Sequence, residues 1–108
     1  MESRMRAVMG IVAGVLLCFS GAAEATSIST RWGNTQMAQN ECLEHAARAI
    51  REAGFDALTP TETSRYGTRG DYVIAVRCLT QMKMYFMSAA GPSDKETAKY
   101  VEEVDHGF

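Results

Sequence analysis

Two cysteines, Cys42 and Cys78, constrain the fold of this chain more than any other feature of its sequence. Cys42 lies in a stretch whose apolar residues recur every three or four positions, which predicts an amphipathic helix over 35–53. Cys78 lies in the alternating stretch 71–80, which predicts a strand. A bond between the two sulfur atoms would fasten the helix to one face of a sheet, so the other elements can be placed around this pair.

The first 25 residues have the three parts of a secretory signal peptide. Two arginines precede the apolar run 7–19, and the A-E-A sequence at 23–25 fits the small-x-small cleavage pattern. An uncleaved membrane anchor is one alternative, although a bilayer span needs ~20 apolar residues. A lipid-modified Cys18 is another. We expect 1–25 to be a signal peptide, 26–108 to form a single α+β domain, and the protein to be exported, either periplasmic or secreted.

Export decides the chemistry of the cysteines. Cleavage removes Cys18 and leaves Cys42 and Cys78, an even number in an oxidising compartment, where a small domain gains from a covalent bridge. On the chain-entropy account, a bridge across this loop stabilises the fold by ~3–4 kcal/mol. The alternative is that both residues are separate buried thiols.

The rest of the pattern predicts four strands and a second helix. The strands are expected at 28–32, 61–66, 71–80 and 82–90, with a hairpin turn at 67–70, a second helix opening at 91–94 and a frayed tail at 106–108. The order β-α-β-β-β-α predicts an α+β two-layer sandwich with a four-stranded, mainly antiparallel sheet and both helices on one face. A right-handed crossover would let the first strand run parallel to its neighbour. Gly54 and Phe55 are expected to end the first helix as a Schellman motif.

The face of the sheet turned away from the helices is the first candidate site. If Cys78 faces the helices, the period of two places Ile74 and Val76 there as well and turns Arg77 to the open side. The expected partner-binding residues on that side are Arg31, Arg77, Lys83, Tyr85 and Met87, provided that Met84 and Phe86 point inward. Such a mixture suits a protein partner, a second copy of the chain or a small anionic ligand. The alternative is an ordinary solvated sheet face.

The second candidate is an anion-binding hairpin turn. Arg65, Tyr66 and Arg69 flank the glycines of the 67–70 turn, and two guanidinium groups with a phenol are suited to a carboxylate or phosphate. The alternative is a solvated turn in which Asp71 neutralises a neighbouring arginine.

Other classes of function are not favoured. The net charge is −2 and there is no basic tract, so the chain lacks the pattern of a nucleic-acid or lipid-surface binder. His45 and His106 have no metal-ligand spacing, and the methionines of 82–87 suit core packing better than copper. We predict no cofactor, no catalytic residue and no stable membrane anchor after cleavage. A small hydrolase or an enzyme using the Cys42 thiol is the least favoured alternative.

Six short motifs punctuate the region after residue 25: R-W-G at 31–33, Cys42, A-G-F at 53–55, G-x-x-G-D-Y at 67–72, R-C at 77–78 and A-G-P at 90–92. This pattern resembles a group of small exported bacterial domains of unknown function. The resemblance covers nearly all of 26–108 and implies a shared fold, but it implies no activity. The sequence therefore predicts a non-enzymatic binding or inhibitor-like module of the cell envelope, with a self-associating structural domain as the alternative.

Overall fold

A computed structural model describes residues 26–108, so the predicted signal peptide lies outside the described residues. The elements in chain order are β1 (Ser27–Asn34), α1 (Gln39–Glu52), β2 (Asp56–Ala57), β3 (Ser64–Arg69), β4 (Tyr72–Leu79), a 3₁₀ turn (Thr80–Met82), β5 (Met84–Gly91) and α2 (Asp94–Gly107). The strands form one sheet in the order β1-β5-β4-β3-β2, and every neighbouring pair is antiparallel.

Both helices pack on the same face of this sheet, which confirms the α+β architecture. The core lies between the two layers and is formed by both helices together with strands β4 and β5. Ile50 of α1 and Val104 of α2 meet Ile74 and Val76 of β4 and Met87 of β5, and all five are at most 1% exposed. Burying five large apolar side chains in one contiguous layer is the main stabilising contribution to a domain of this size.

The predicted disulfide is present and joins α1 to β4. The Cα atoms of Cys42 and Cys78 are 6.1 Å apart, and the two residues are buried with Leu43 in a cluster of their own. The phase of β4 predicted from this bridge is confirmed, because Ile74 and Val76 are buried while Arg77 is exposed.

Helix α1 starts later than its apolar pattern indicates. The backbone N–H of Thr35 still pairs with the carbonyl of Lys83 at 2.9 Å, so the sheet ladder continues past β1. The Thr35 hydroxyl then accepts a hydrogen bond from the Met37 N–H, and Ala38 is extended. The helix therefore begins at Gln39.

The Schellman end of α1 is confirmed. Gly54 has φ +87°, and its N–H donates to the carbonyl of Arg51, while the Phe55 N–H donates to the carbonyl of Ile50. Only glycine adopts this left-handed conformation without strain from a Cβ.

Two expectations about the sheet were wrong: the number of strands, which is five and not four, and the position of β3. The possibility that β1 runs parallel to a neighbour is not realised, since β1 pairs with β5 antiparallel. The fifth strand, β2, is too short to have a sequence period. Strand β3 lies three residues later than predicted, since Gly70, with φ +57°, carries the tight turn and Gly67 continues the strand.

Helix α2 extends through the residues predicted to fray. Ser93 caps its first turn by accepting a hydrogen bond from the Glu96 N–H. At its end, the Phe108 ring packs on Tyr85 with centroids 4.4 Å apart, so an aromatic contact holds the last turn to the sheet. Over 26–108, neither helix has the length and apolar character needed to cross a bilayer.

Candidate functional site

Strand β5 shows the opposite phase to the one predicted. Met87 is fully buried beneath the helices, and the Tyr85 hydroxyl donates a 2.7 Å hydrogen bond to Oδ1 of Asp105 on α2. Met84 and Phe86 therefore point to the open side, and Phe86 is 38% exposed. The placement of Tyr85 and Met87 on the open face was wrong.

Two basic residues also leave the predicted face. Arg31 lies on the helix-covered side, where its Nη1 is 3.0 Å from Oδ2 of Asp105. Lys83 precedes β5 in a left-handed turn with φ +55°, so it lies at the end of the sheet and not on its face. Of the five residues predicted for the open face, Arg77 alone is there.

The open face has its own row of large side chains. In the sheet register Trp32 of β1 lies opposite Phe86 of β5, and Phe86 lies opposite Arg77 of β4. Directly paired residues of antiparallel strands share a face, so these three side chains stand side by side. We call Trp32, Phe86 and Arg77 the central row. Trp32 is 63% exposed, an unusual state for a large aromatic side chain.

Two other rows of the open face are largely apolar. One row contains Ile28, Ala90 and Val73, and the other contains Asn34, Met84 and Leu79. A polar row of Thr30, Ser88 and Ala75 separates the first of these from the central row. The open face of β1, β5 and β4 is thus mainly apolar and contains one cation, Arg77.

The two arginines that were expected to act together differ in their electrostatics. The Arg77 side chain has no hydrogen-bond or ion-pair partner within 26–108. Arg31 is bound by Asp105, which also accepts from Tyr85. Burial raises the pKa of Tyr85 to about 12, helped by the hydrogen bond and the negative charge of Asp105, while Arg31 opposes the rise. Arg31 contributes to the fold, whereas Arg77 keeps its charge available.

The glycine of the R-W-G motif has a packing role. Gly33 lies opposite Tyr85 on the helix-covered side, and a Cβ at Gly33 would come 2.5 Å from the Tyr85 hydroxyl oxygen. The absent side chain leaves room for the Tyr85 ring to reach Asp105. The R-W-G motif therefore contributes Arg31 to the polar contacts of Asp105 on the covered face and Trp32 to the central row on the open face.

The residues of the predicted anion-binding turn do not converge. Arg65 donates to the carbonyls of Thr61 and Ser64. Arg69 donates to the carbonyl of Ala53 at 2.8 Å and lies over the Tyr100 ring, 5.2 Å from its centroid. Tyr66 is on the opposite side of β3 from both arginines, as the alternation of a strand requires. Both guanidinium groups thus bind backbone carbonyls, and Arg69 alone contacts the end of α1.

One concavity lies between the two helices. It has a volume of about 650 Å³, and its lining includes Glu52, Lys99, Glu102, Glu103 and His106 without a hydroxyl or thiol side chain. Within 26–108, no group of three or more His, Cys, Asp or Glu side chains is placed to hold a metal ion.

The comparisons with known proteins add no relative. No protein-family model and no curated protein matches the chain. Sequence reasoning missed Phe86 because β5 is apolar on both faces, so its alternation did not indicate which face is covered. It missed Trp32 because the side of β1 was inferred without knowing that β1 pairs with β5.

Proposed function

We propose that this protein is an exported, non-enzymatic binding module that recognises a protein partner through the open face of its sheet. The central row carries the proposal: two exposed aromatic side chains and an arginine without an ion pair stand in register on three adjacent strands. Tryptophan and arginine are the residue types that most often dominate the energy of protein interfaces.

The charge of the central row indicates the chemistry of the partner. Arg77 is the one charged side chain that the four longer strands direct to this face. A partner with a carboxylate among apolar side chains would pair with Arg77 while covering Trp32 and Phe86. Two copies meeting face to face at their centres would oppose one Arg77 to the other, which disfavours that arrangement. A small anion would find one guanidinium group as the only charged donor of the central row.

The disulfide bridge supports two parts of this proposal, namely that the protein is exported and that it does not act through a free thiol. A disulfide is typical of proteins from oxidising compartments, which supports the predicted signal peptide and the resemblance to exported bacterial domains. Its sulfur atoms belong to residues that are at most 2% exposed, so exchange with an external thiol is sterically blocked. A thiol-redox enzyme is therefore a poor alternative.

Comparative capture from a cell-envelope extract tests this proposal. The exported protein is immobilised as wild type, Arg77→Glu, Trp32→Ala and Lys83→Glu, after each variant has been shown to unfold at a similar temperature. The expected result is a protein that the wild type and Lys83→Glu retain, and that the other two variants lose with at least about tenfold weaker binding. Lys83→Glu is the matched control because it makes the same charge reversal at an exposed position off the face. Equal retention by all four, or equal loss with Lys83→Glu, contradicts the proposal.

A further inference from the structure

The two edges of the sheet are very different. The edge formed by β2 is two residues long and is followed by Pro60, so it offers little backbone for another strand. The edge formed by β1 is eight residues long and pairs with β5 on one side only. Within 26–108 nothing pairs with its other side. A long, free edge strand is a template for antiparallel pairing with another chain.

The hydrogen-bond pattern shows which residues of β1 are free to pair. The N–H of Thr35 binds the carbonyl of Lys83, and bonded pairs alternate along an antiparallel ladder. The odd-numbered residues of β1 are thus bonded to β5. Ile28, Thr30 and Trp32 direct their N–H and C=O groups to the free edge. Ile28 and Trp32 are also 67% and 63% exposed, so free backbone and exposed apolar side chains belong to the same residues.

Strand β1 has none of the devices that protect an edge. It contains no proline or lysine, and every non-glycine residue in it has negative φ. Its one charged residue, Arg31, lies on the helix-covered side and is neutralised by Asp105. A second strand that approaches this edge therefore meets no unpaired charge of β1.

We propose that β1 pairs with β1 of a second copy of this chain about a two-fold axis at Thr30, which joins the two sheets into one continuous sheet. Bonded antiparallel pairs must match even-numbered residues with even-numbered ones. The axis at Thr30 places Ile28 opposite Trp32 of the second copy, a favourable pairing of a β-branched with an aromatic side chain. An axis at Arg31 would instead set one Arg31 directly against the other, at the closer spacing of a non-bonded pair.

This arrangement leaves the open faces of both copies uncovered. The axis is perpendicular to the sheet, so both central rows lie on one side and all helices lie on the other. A partner with two copies of its own binding segment would then be held at two points. The dimer does not depend on the proposed partner, because β1 would contact the second copy through its backbone edge and the partner through the open face.

Sedimentation equilibrium of the exported protein, with its native disulfide, tests whether the dimer forms. We expect a monomer–dimer equilibrium with a dissociation constant of roughly 10–100 µM, because one strand pair buries less area than a standard interface. Thr30→Pro removes an outward N–H without touching the ladder to β5, so it should abolish the dimer. Thr30→Ala keeps that N–H and should keep the dimer. A wild-type protein that is monomeric at ~1 mM, or equal association of both variants, overturns the proposal.

Cross-linking tests the register without relying on a proline variant. Thr30→Cys places two thiols opposite each other at the axis, at a Cα separation of about 5.5 Å that a disulfide spans. Ile28 is also exposed and lies on the same face. It would lie opposite Trp32 of the second copy, so the two thiols of Ile28→Cys are too far apart to react. Mild oxidation is expected to give covalent dimers with Thr30→Cys and not with Ile28→Cys. Equal cross-linking of the two variants, or none with Thr30→Cys, contradicts the pairing.

Discussion

The two faces of this sheet contain similar residue types but use them in opposite ways. On the covered face, Met87 and Val76 are buried beneath the two helices, and Arg31 forms an ion pair with Asp105. On the open face, Trp32 and Phe86 are exposed beside Arg77, which has no ion-pair partner within 26–108. The capacity of an arginine or an aromatic residue to bind a partner thus depends on what the fold leaves unpaired, and not on its type alone.

Neighbouring residues of one strand show the same contrast. Tyr85 and Phe86 are adjacent in β5, yet Tyr85 donates to Asp105 and packs on Phe108, while Phe86 stands between Trp32 and Arg77. The covered face was completed by contacts from α2. Within 26–108, no helix or further strand covers the open face, and its apolar side chains remain exposed.

Removal of the disulfide should give the largest decrease in the free energy of unfolding, and it should leave binding through the open face unchanged. Cys42→Ala combined with Cys78→Ala releases α1 from β4, and the free energy of unfolding should fall by about 3–4 kcal/mol, as expected for a loop of this length. Urea unfolding of the variant and the wild type measures the difference. Partner capture by the folded fraction should be unchanged. A loss below about 1 kcal/mol would show that packing alone holds α1 in place.

Two adjacent substitutions in β5 compare the faces directly. Met87→Ala opens a cavity in the core and should lower the free energy of unfolding by about 3 kcal/mol. Phe86→Ala removes a larger side chain from the open face and should cost less than about 1 kcal/mol while weakening partner capture. Both values come from urea unfolding. If Phe86→Ala destabilises the protein as much as Met87→Ala, the open face is part of the folding core.

Loss of the Tyr85 hydrogen bond should destabilise the protein less than Met87→Ala, with a characteristic pH dependence. Tyr85→Phe removes a bond to a carboxylate and should lower the free energy of unfolding by about 1.5 kcal/mol near neutral pH. Because the folded-state pKa is raised from 10.0 to about 12, the contribution is complete below pH 10 and is lost as the pH rises towards 12. Tyr66→Phe on the open side is the control and should change stability by less than about 0.5 kcal/mol. A difference between Tyr85→Phe and wild type that grows above pH 10 would contradict this assignment.

The fold was predictable where the pattern was local. The apolar stripe of α1, its end at Gly54 and the alternation of β4 are each contained within one short segment, and the structure confirms all three. The bridge between Cys42 and Cys78 then oriented β4 correctly, because a covalent bond needs the two residues on facing surfaces.

The site was less predictable because its residues depend on β5. Residues 84–87 are all apolar or aromatic, so shifting the phase by one position exchanges one hydrophobic set for another of similar size. The assumed phase removed Phe86 from the open face and added Met87. Arg31 was misplaced for a related reason, since its side was inferred without knowing that β1 pairs with β5.

The sequence by itself determined the features that a local period or a covalent link specifies. These are helix α1 with its end at a glycine, the orientation of Arg77 towards the open face, and the disulfide. The tertiary structure decided which face of β5 is covered, where β1 joins the sheet and which arginine stays free. These outcomes depend on contacts between distant residues, such as Arg31 with Asp105 across 74 positions. A local sequence pattern cannot identify the two residues of such a contact. The interaction stabilises the protein only after the helices have packed on one side of the sheet.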